Sequence, residues 1–397
     1  MTTPIKLSKT QARTFLLQAQ HLVGPRMLRG QRGVLKVLKD LRAVQVDPID
    51  VAGVNHDLVL RARVAGYTHD YLDAILYEKR QAFEYWLKCL CILPIASRPY
   101  YEARMRRCER WFAELLEEHA DTVRRIEESI RQAGPKSPAD FDDARRVRGG
   151  WSGDQRLIKK LMEALWETGR LAIHHREGRR RFYDLAERTV PRVDEPPDEE
   201  AFHRRAIDDL YHAMRLFRAK GNGGVTHFVR RFRGEVHAAM LDEGTIAPVS
   251  IRDVNVESFM LADDVATLDE LDEPDDTVRL LPPMDNALWD RQLVEALFGF
   301  RYAFEAYKPR ESRQYGYYCL PVLYGTKLVG RVDAAVDRAA DRLRLKAVHW
   351  EESFRPGERF LQGFVDELAD LCRYLGVASV SLPPEPFKAR DKLGALL

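Results

Sequence analysis

Gln45-Val46-Asp47-Pro48 closes an apolar-periodic run that extends from Gly33 to Val44. Successive side chains alternate in extended backbone, so an amide and a carboxylate two residues apart face the same way, and Pro48 biases Asp47 toward that conformation. Such a pair can hold and polarise one water molecule. A structural reading competes with this one. Asp followed by Pro is a good helix start, with Asp47 as N-cap, Pro48 at the first helical position and Asp50 favourable in the first turn. Gln45 separates the two readings, because a cap is indifferent to the residue two places before it.

The elements that must position this pair read as helix, helix, helix and wing. Ser8 with Gln11 makes a capping-box start for a helix from Lys9 to about His21; Gly30 to Val44 carries a second and Leu72 to Arg80 a third. Gln81 to Trp86 and Leu90 to Ile95 then read as two strands, completing a winged-helix pattern over residues 1–98. A charged linker helix, about Pro99 to Gln132, occupies residues 99–136. Residues 137–191 repeat the pattern, with a helix from Gln155 to Thr168 and strands Arg170–His174 and Arg181–Asp184 joined through an Arg-rich tip. A third unit spans 192–279, with helices at His203–Lys220, Gly224–Arg231 and Gly234–Glu243, strands near 246–251 and 257–262, and an acidic tract read as a solvated connection or irregular hairpin. Residues 280–397 hold alternating strands and a closing helix, Glu358 to Leu375, which suggests a small barrel or curled sheet. The expected class is therefore α+β.

Composition sets the outer limits. The chain has 397 residues with 45% apolar content, enough for real cores, and five cysteines with no CxxC spacing, which suggests neither a disulfide framework nor a zinc site. No signal peptide or membrane-length apolar run is apparent, so a cytoplasmic protein is expected. The net charge of +2 conceals segregation. From Arg145 to Arg181 there are eleven Lys/Arg against four Asp/Glu, whereas Asp263 to Asp276 holds eight acids and no base. The basic stretch is a candidate phosphate-binding face, led by Lys159, Lys160, His175, Arg176, Arg179, Arg180 and Arg181; an ordinary solvated surface is the alternative. The histidine pairs His203/His212 and His227/His237 lack metal-ligand spacing, so no metal is called for.

Several segments resemble a known family when taken together. They are Leu41 to Asp47, Asn55 to Arg61, Phe83 to Trp86, Leu165 to Ala172 with Phe182 to Leu185, Leu281 to Arg291, Leu297 to Phe300, Phe304 to Tyr307, Tyr315 to Tyr318 and Leu328 to Asp333. In this order and spacing the chain resembles the YcaQ-like, AlkZ-related winged-helix DNA glycosylases that unhook interstrand crosslinks. The departures are Pro48, where a hydroxyl residue is expected, and Met284, where an aromatic is expected. The resemblance implies three tandem winged-helix units and a C-terminal β-rich domain around a basic concave channel. It also implies catalytic roles for Gln45 and Asp47, no cofactor, and double-stranded DNA with alkylated or crosslinked purines as partner for a nucleoid-associated monomer.

N7-alkylation leaves a purine cationic, so its departure needs no protonating acid and the enzyme's work lies on the sugar. Asp47 suits activation of a water or stabilisation of the oxocarbenium-like charge, and Gln45 suits orienting that water. No Lys lies next to the motif in sequence, which favours hydrolysis over imine chemistry. Asn55 and His56 could line the same pocket or make structural hydrogen bonds. Trp289-Asp290-Arg291 and Tyr315, Tyr317 and Tyr318 could stack on an exposed base, although core packing is the default for such aromatics. A crosslinked base cannot swing freely into a closed pocket, so Asp47 is expected to be solvent-accessible on the wall of the channel. The alternative function is a non-enzymatic winged-helix DNA-binding protein, for instance a transcriptional regulator.

Overall fold

The computed structural model describes residues 3–148, 153–191, 194–218, 232–385 and 387–396. The chain divides into two compact units, each discontinuous in sequence. One comprises Met1–Leu72, Trp86–Cys91 and Ile207–Leu397, and the other comprises Asp73–Tyr85 and Ile92–Ala206.

The first unit holds the Gln45–Asp47 segment. Ser8 caps the helix Lys9–Gln18 through the expected reciprocal box with Gln11. The helix Gly30–Leu41 buries Val34, Val37, Leu38 and Leu41, the i, i+3, i+4 stripe seen in the sequence. A three-stranded sheet joins Ile5–Leu7, parallel, to Ile246–Ile251, which pairs antiparallel with Val254–Leu261. The acidic tract forms 3-10 turns over Ala262–Glu270 instead of a hairpin.

Most of the C-terminal part of this unit is one mixed five-stranded sheet, ordered Val278–Leu280, Cys319–Tyr324, Lys327–Asp337, Arg342–Trp350 and Ser379–Ser381. Register shifts at Val322/Leu323 and Asp333/Ala334 mark irregularities of the kind that bend a sheet. The helix Glu358–Leu375 has the bounds expected from sequence and lays Phe360, Leu361, Phe364, Leu368 and Leu371 into the sheet's core. This is the expected β-rich C-terminal part.

In the second unit, the single linker helix expected over Pro99–Gln132 is two helices, Arg98–Glu118 and Ala120–Ala133, broken where His119 leaves the helical region (φ −115°, ψ 29°). The helix Leu157–Glu167 packs beside the hairpin of Leu171–Glu177 and Arg180–Leu185. The third helix expected near the N-terminus begins early, at His69–Asp73, and continues as a π-helical turn over Ala74–Glu78. The helix expected at Gly224–Arg231 lies outside the described residues. The one expected at His203–Lys220 spans Glu199–Met214 and ends early, because Arg215 turns left-handed (φ 62°) and Phe217 pairs with Phe259.

Candidate active site

Arg42 ends the helix Gly30–Leu41 in the left-handed region (φ 53°), and its guanidinium pairs with Asp208 and, at 3.5 Å, with Asp209. The chain then runs extended through Val44–Gln45, and the Val46 N–H donates to the Leu90 carbonyl at 2.9 Å. No helix begins at Asp47. The next one spans Asn55–Arg61, and the Asp47 carboxylate instead accepts the Ile49 N–H at 2.9 Å, closing an Asx turn. The helix-cap alternative is therefore wrong. Beyond the turn, Ile49 and Val51 pack on the C-terminal core, and the Val336 N–H donates to the Val51 carbonyl at 2.8 Å. Gly53 is required there. Its φ is 101°, and a Cβ would meet the Tyr374 ring at 2.8 Å.

Asn55 is fully buried and works as a clamp. Its Nδ2 donates to the Gln45 carbonyl at 2.9 Å, while its Oδ1 accepts the Met284 N–H at 3.0 Å. The Leu281–Arg291 segment supplies the rest of the frame. Asn286 donates to the carbonyls of Ala43 and Ala213, and Asp285 makes a buried two-point ion pair with Arg63 at 2.7 and 2.9 Å. Asp290 holds Arg218 in the same way and caps the helix Arg291–Phe298. Trp289 is buried, with its indole N–H on the Met284 carbonyl at 2.9 Å. The segment acts through backbone and charge to fix the strand carrying Gln45, and core packing is the correct reading of Trp289.

Asp47 keeps 6% of its surface accessible, so the expectation of an exposed carboxylate fails; the Asx turn folds it back on its own loop. Burial raises its pKa, opposed by the Ile49 N–H and by the charge of His56. His56, half-buried, is thus an electrostatic neighbour of Asp47, whereas Asn55 acts on the backbone. The Gln45 Oε1 is buried and bonds no described residue, as is the Tyr318 hydroxyl. Buried polar atoms without protein partners call for water or ligand. Tyr318 and the exposed Tyr307 both have their hydroxyl pKa raised by burial and by the Asp47 charge. Tyr307, a large exposed aromatic beside the carboxylate, is a residue that the sequence signalled only as part of the Phe304–Tyr307 match.

The turn joining the strands Ala82–Trp86 and Leu90–Pro94 brings further groups to the site. Lys88, which sequence distance had hidden, stands with its Nζ 4.1 Å from the Trp289 ring centroid. Burial lowers its pKa, and the Arg291 charge adds to this. The Cys89 and Cys91 sulfurs are 3.7 Å apart. The Cys89 thiol is held below its usual pKa by the contact with Cys91 and by the Lys88 charge, against burial and the opposing charge of Asp47. Cys89 therefore lies within electrostatic reach of both Lys88 and Asp47.

In the second unit, part of the basic stretch is matched by acids, some near in sequence and some distant. Arg176 forms a two-point ion pair with the buried Glu84, Arg170 pairs with Glu127, Arg145 with Asp143, and Lys159 with Glu163 at 3.8 Å. Burial would raise the Glu84 pKa, but the charge and hydrogen bonds of Arg176 bring it down to about 2. Lys160 stands over Phe112, His175 stacks on Phe182 with centroids 4.4 Å apart, and Arg181 lies over Trp166. Arg179 and Arg180, beside the turn glycine Gly178, are exposed. The arginines expected to act together thus divide: Arg176 is directed inward, and two at the tip face solvent.

The sequence matches the model of the family described as DNA glycosylase AlkZ-like over residues 38–374. The fold is similar to that of the DNA glycosylase AlkZ from Streptomyces sahachiroi, with a TM-score of 0.61 and 16% identity over 95% of this chain and 100% of that one. Among the described residues no helix is long and apolar enough to cross a membrane.

Proposed function

This chain belongs to the AlkZ-like DNA glycosylase family, and on that premise we propose that it hydrolyses the N-glycosidic bond of N7-alkylated purines in duplex DNA, using Asp47 and Gln45. The observation that carries the reading is a buried carboxylate with a raised pKa two residues from a buried amide oxygen that has no described protein partner, where a short strand runs into a turn. A water held between them attacks C1′ while the Asp47 carboxylate accepts its proton. The electrons of the breaking bond flow into the cationic base, which leaves neutral. Because Asp47 lies out of bulk water, its charge acts more strongly on the oxocarbenium-like sugar than an exposed carboxylate would.

The three winged-helix units implied by the sequence are part of this proposal, with Arg179 and Arg180 gripping phosphate. Crosslinked purines are a bulkier class of the same substrate. The sequence resemblance extends the proposal to them, and the low exposure of Asp47 makes them the more demanding case. The test is to incubate the protein with duplexes carrying either an N7-methylguanine or a nitrogen-mustard crosslink. Free base is measured for the first and strand separation on a denaturing gel for the second. Release from neither duplex refutes the reading; release of methylated base alone confines it to small adducts.

A further inference from the structure

Lys88 closes a ring of contacts that begins and ends at the Gln45–Asp47 segment. The Gln45 carbonyl binds Asn55, Asn55 binds the Met284 amide, and the Met284 carbonyl binds the Trp289 indole. The Trp289 ring carries the Lys88 Nζ, and two residues beyond Lys88 the Leu90 carbonyl accepts the Val46 N–H. The ring face both fixes the lysine's tip and shields one side of it from water, and Cys89, its neighbour in the turn, senses the charge of Asp47. A half-buried primary amine is thus built into the frame of the site. Hydrolysis of the glycosidic bond leaves an abasic sugar, whose ring-opened form is an aldehyde, the partner an amine condenses with.

We propose that Lys88 is an imine-forming nucleophile that gives this site a second activity, cleavage of the DNA strand at an abasic nucleotide. This rests on the reading of the site as one that receives a damaged nucleotide. The neutral Nζ adds to the C1′ aldehyde carbon, and the carbinolamine takes one proton from solvent and loses water to give a protonated imine. The C2′ proton passes to a water molecule, its C–H electrons form the C2′–C3′ double bond, and the C3′–O bond breaks with the phosphate leaving as its anion. Water then hydrolyses the imine, releasing an unsaturated aldehyde on the DNA, and the amine is restored as its extra proton returns to solvent. Desolvation favours the neutral amine that the first step requires.

The test uses the full chain and a duplex in which a separate uracil glycosylase has already made a single abasic site, so that no excision by this protein is needed. Sodium borohydride in the reaction should trap a covalent protein–DNA species, and peptide mass mapping of the wild-type adduct should place the reduced sugar on Lys88. Mapping on the wild-type protein removes any dependence on how a variant folds; Lys88→Gln should in addition lower trapping at least tenfold. Absence of a trapped species, or an adduct on the N-terminal amine or another lysine, overturns the proposal. Free-base release from an N7-methylguanine duplex, measured in parallel, separates the two readings. Release without an adduct removes only the lyase, and an adduct on Lys88 without release removes only the glycosylase.

Discussion

Replacing Asn55 with Ala tests whether the strand carrying Gln45 is held as the geometry indicates. The substitution deletes two hydrogen bonds, to the Gln45 carbonyl at 2.9 Å and from the Met284 N–H at 3.0 Å, at a fully buried position. Each buried group left without a partner costs about 1–3 kcal/mol. Water entering the space left by the side chain offsets part of that, so the expected loss of stability is about 2–3 kcal/mol. The looser strand should also misplace Gln45 and Asp47, and a displacement near 1 Å costs on the order of a hundredfold in rate. Urea denaturation gives the first quantity and single-turnover base release the second, with duplex affinity measured alongside and expected to stay within about twofold. A variant of unchanged stability would refute the clamp. Weakened DNA binding at unchanged stability would instead make Asn55 a pocket residue.

Other consequences follow from the same geometry. Changing Arg179 and Arg180 together to Ala should weaken binding to all duplexes alike and flatten log K against log salt by about 1.8 units, near 0.9 per lost phosphate contact, and an unchanged slope would return the tip to plain surface. Glu84→Gln should destabilise the protein by about 3–5 kcal/mol at neutral pH by leaving Arg176 unpaired. In the wild type, the depressed Glu84 pKa makes this a stability present above the unfolded value of about 4.3 and lost as pH falls toward about 2, which acid denaturation of the two proteins compares. Asp47 has the opposite sign. Its raised pKa penalises the charged form, so its contribution to stability is present at low pH and lost as pH rises through the folded value, while the acid limb of kcat/KM should lie above the ordinary Asp value of about 4.

The parts of this fold visible in the sequence are those set by local periodicity. The capping box at Ser8, the stripe of the Gly30–Leu41 helix and the whole span of Glu358–Leu375 follow from spacing alone. The candidate segment Gln45–Asp47 stood out by residue types and by the family resemblance, but its surroundings did not. Nothing local told that Asp47 would fold onto the Ile49 amide rather than cap a helix, because both outcomes use the same Asp-Pro pair. Lys88 lies about forty residues from the motif in sequence and is linked to it through the Leu90–Val46 hydrogen bond and the Trp289 ring. The Arg-rich stretch misled in the same way. Its partners Glu84 and Glu127 come from elsewhere in the chain and Asp143 lies just before it, so a local charge excess overstates what is presented to solvent.

The central claim, that Asp47 performs the chemistry of base excision, is tested most directly by the single-turnover release of N7-methylguanine by Asp47→Asn. Asn has the same shape and can still accept the Ile49 N–H through its amide oxygen, so the Asx turn and the strand should survive, and duplex affinity should be that of the wild type. It cannot take a proton from water or hold negative charge beside the sugar. The expected rate is lower by at least about a hundredfold, the scale for a positioned acid–base group. Release within a few-fold of wild type would contradict the assignment.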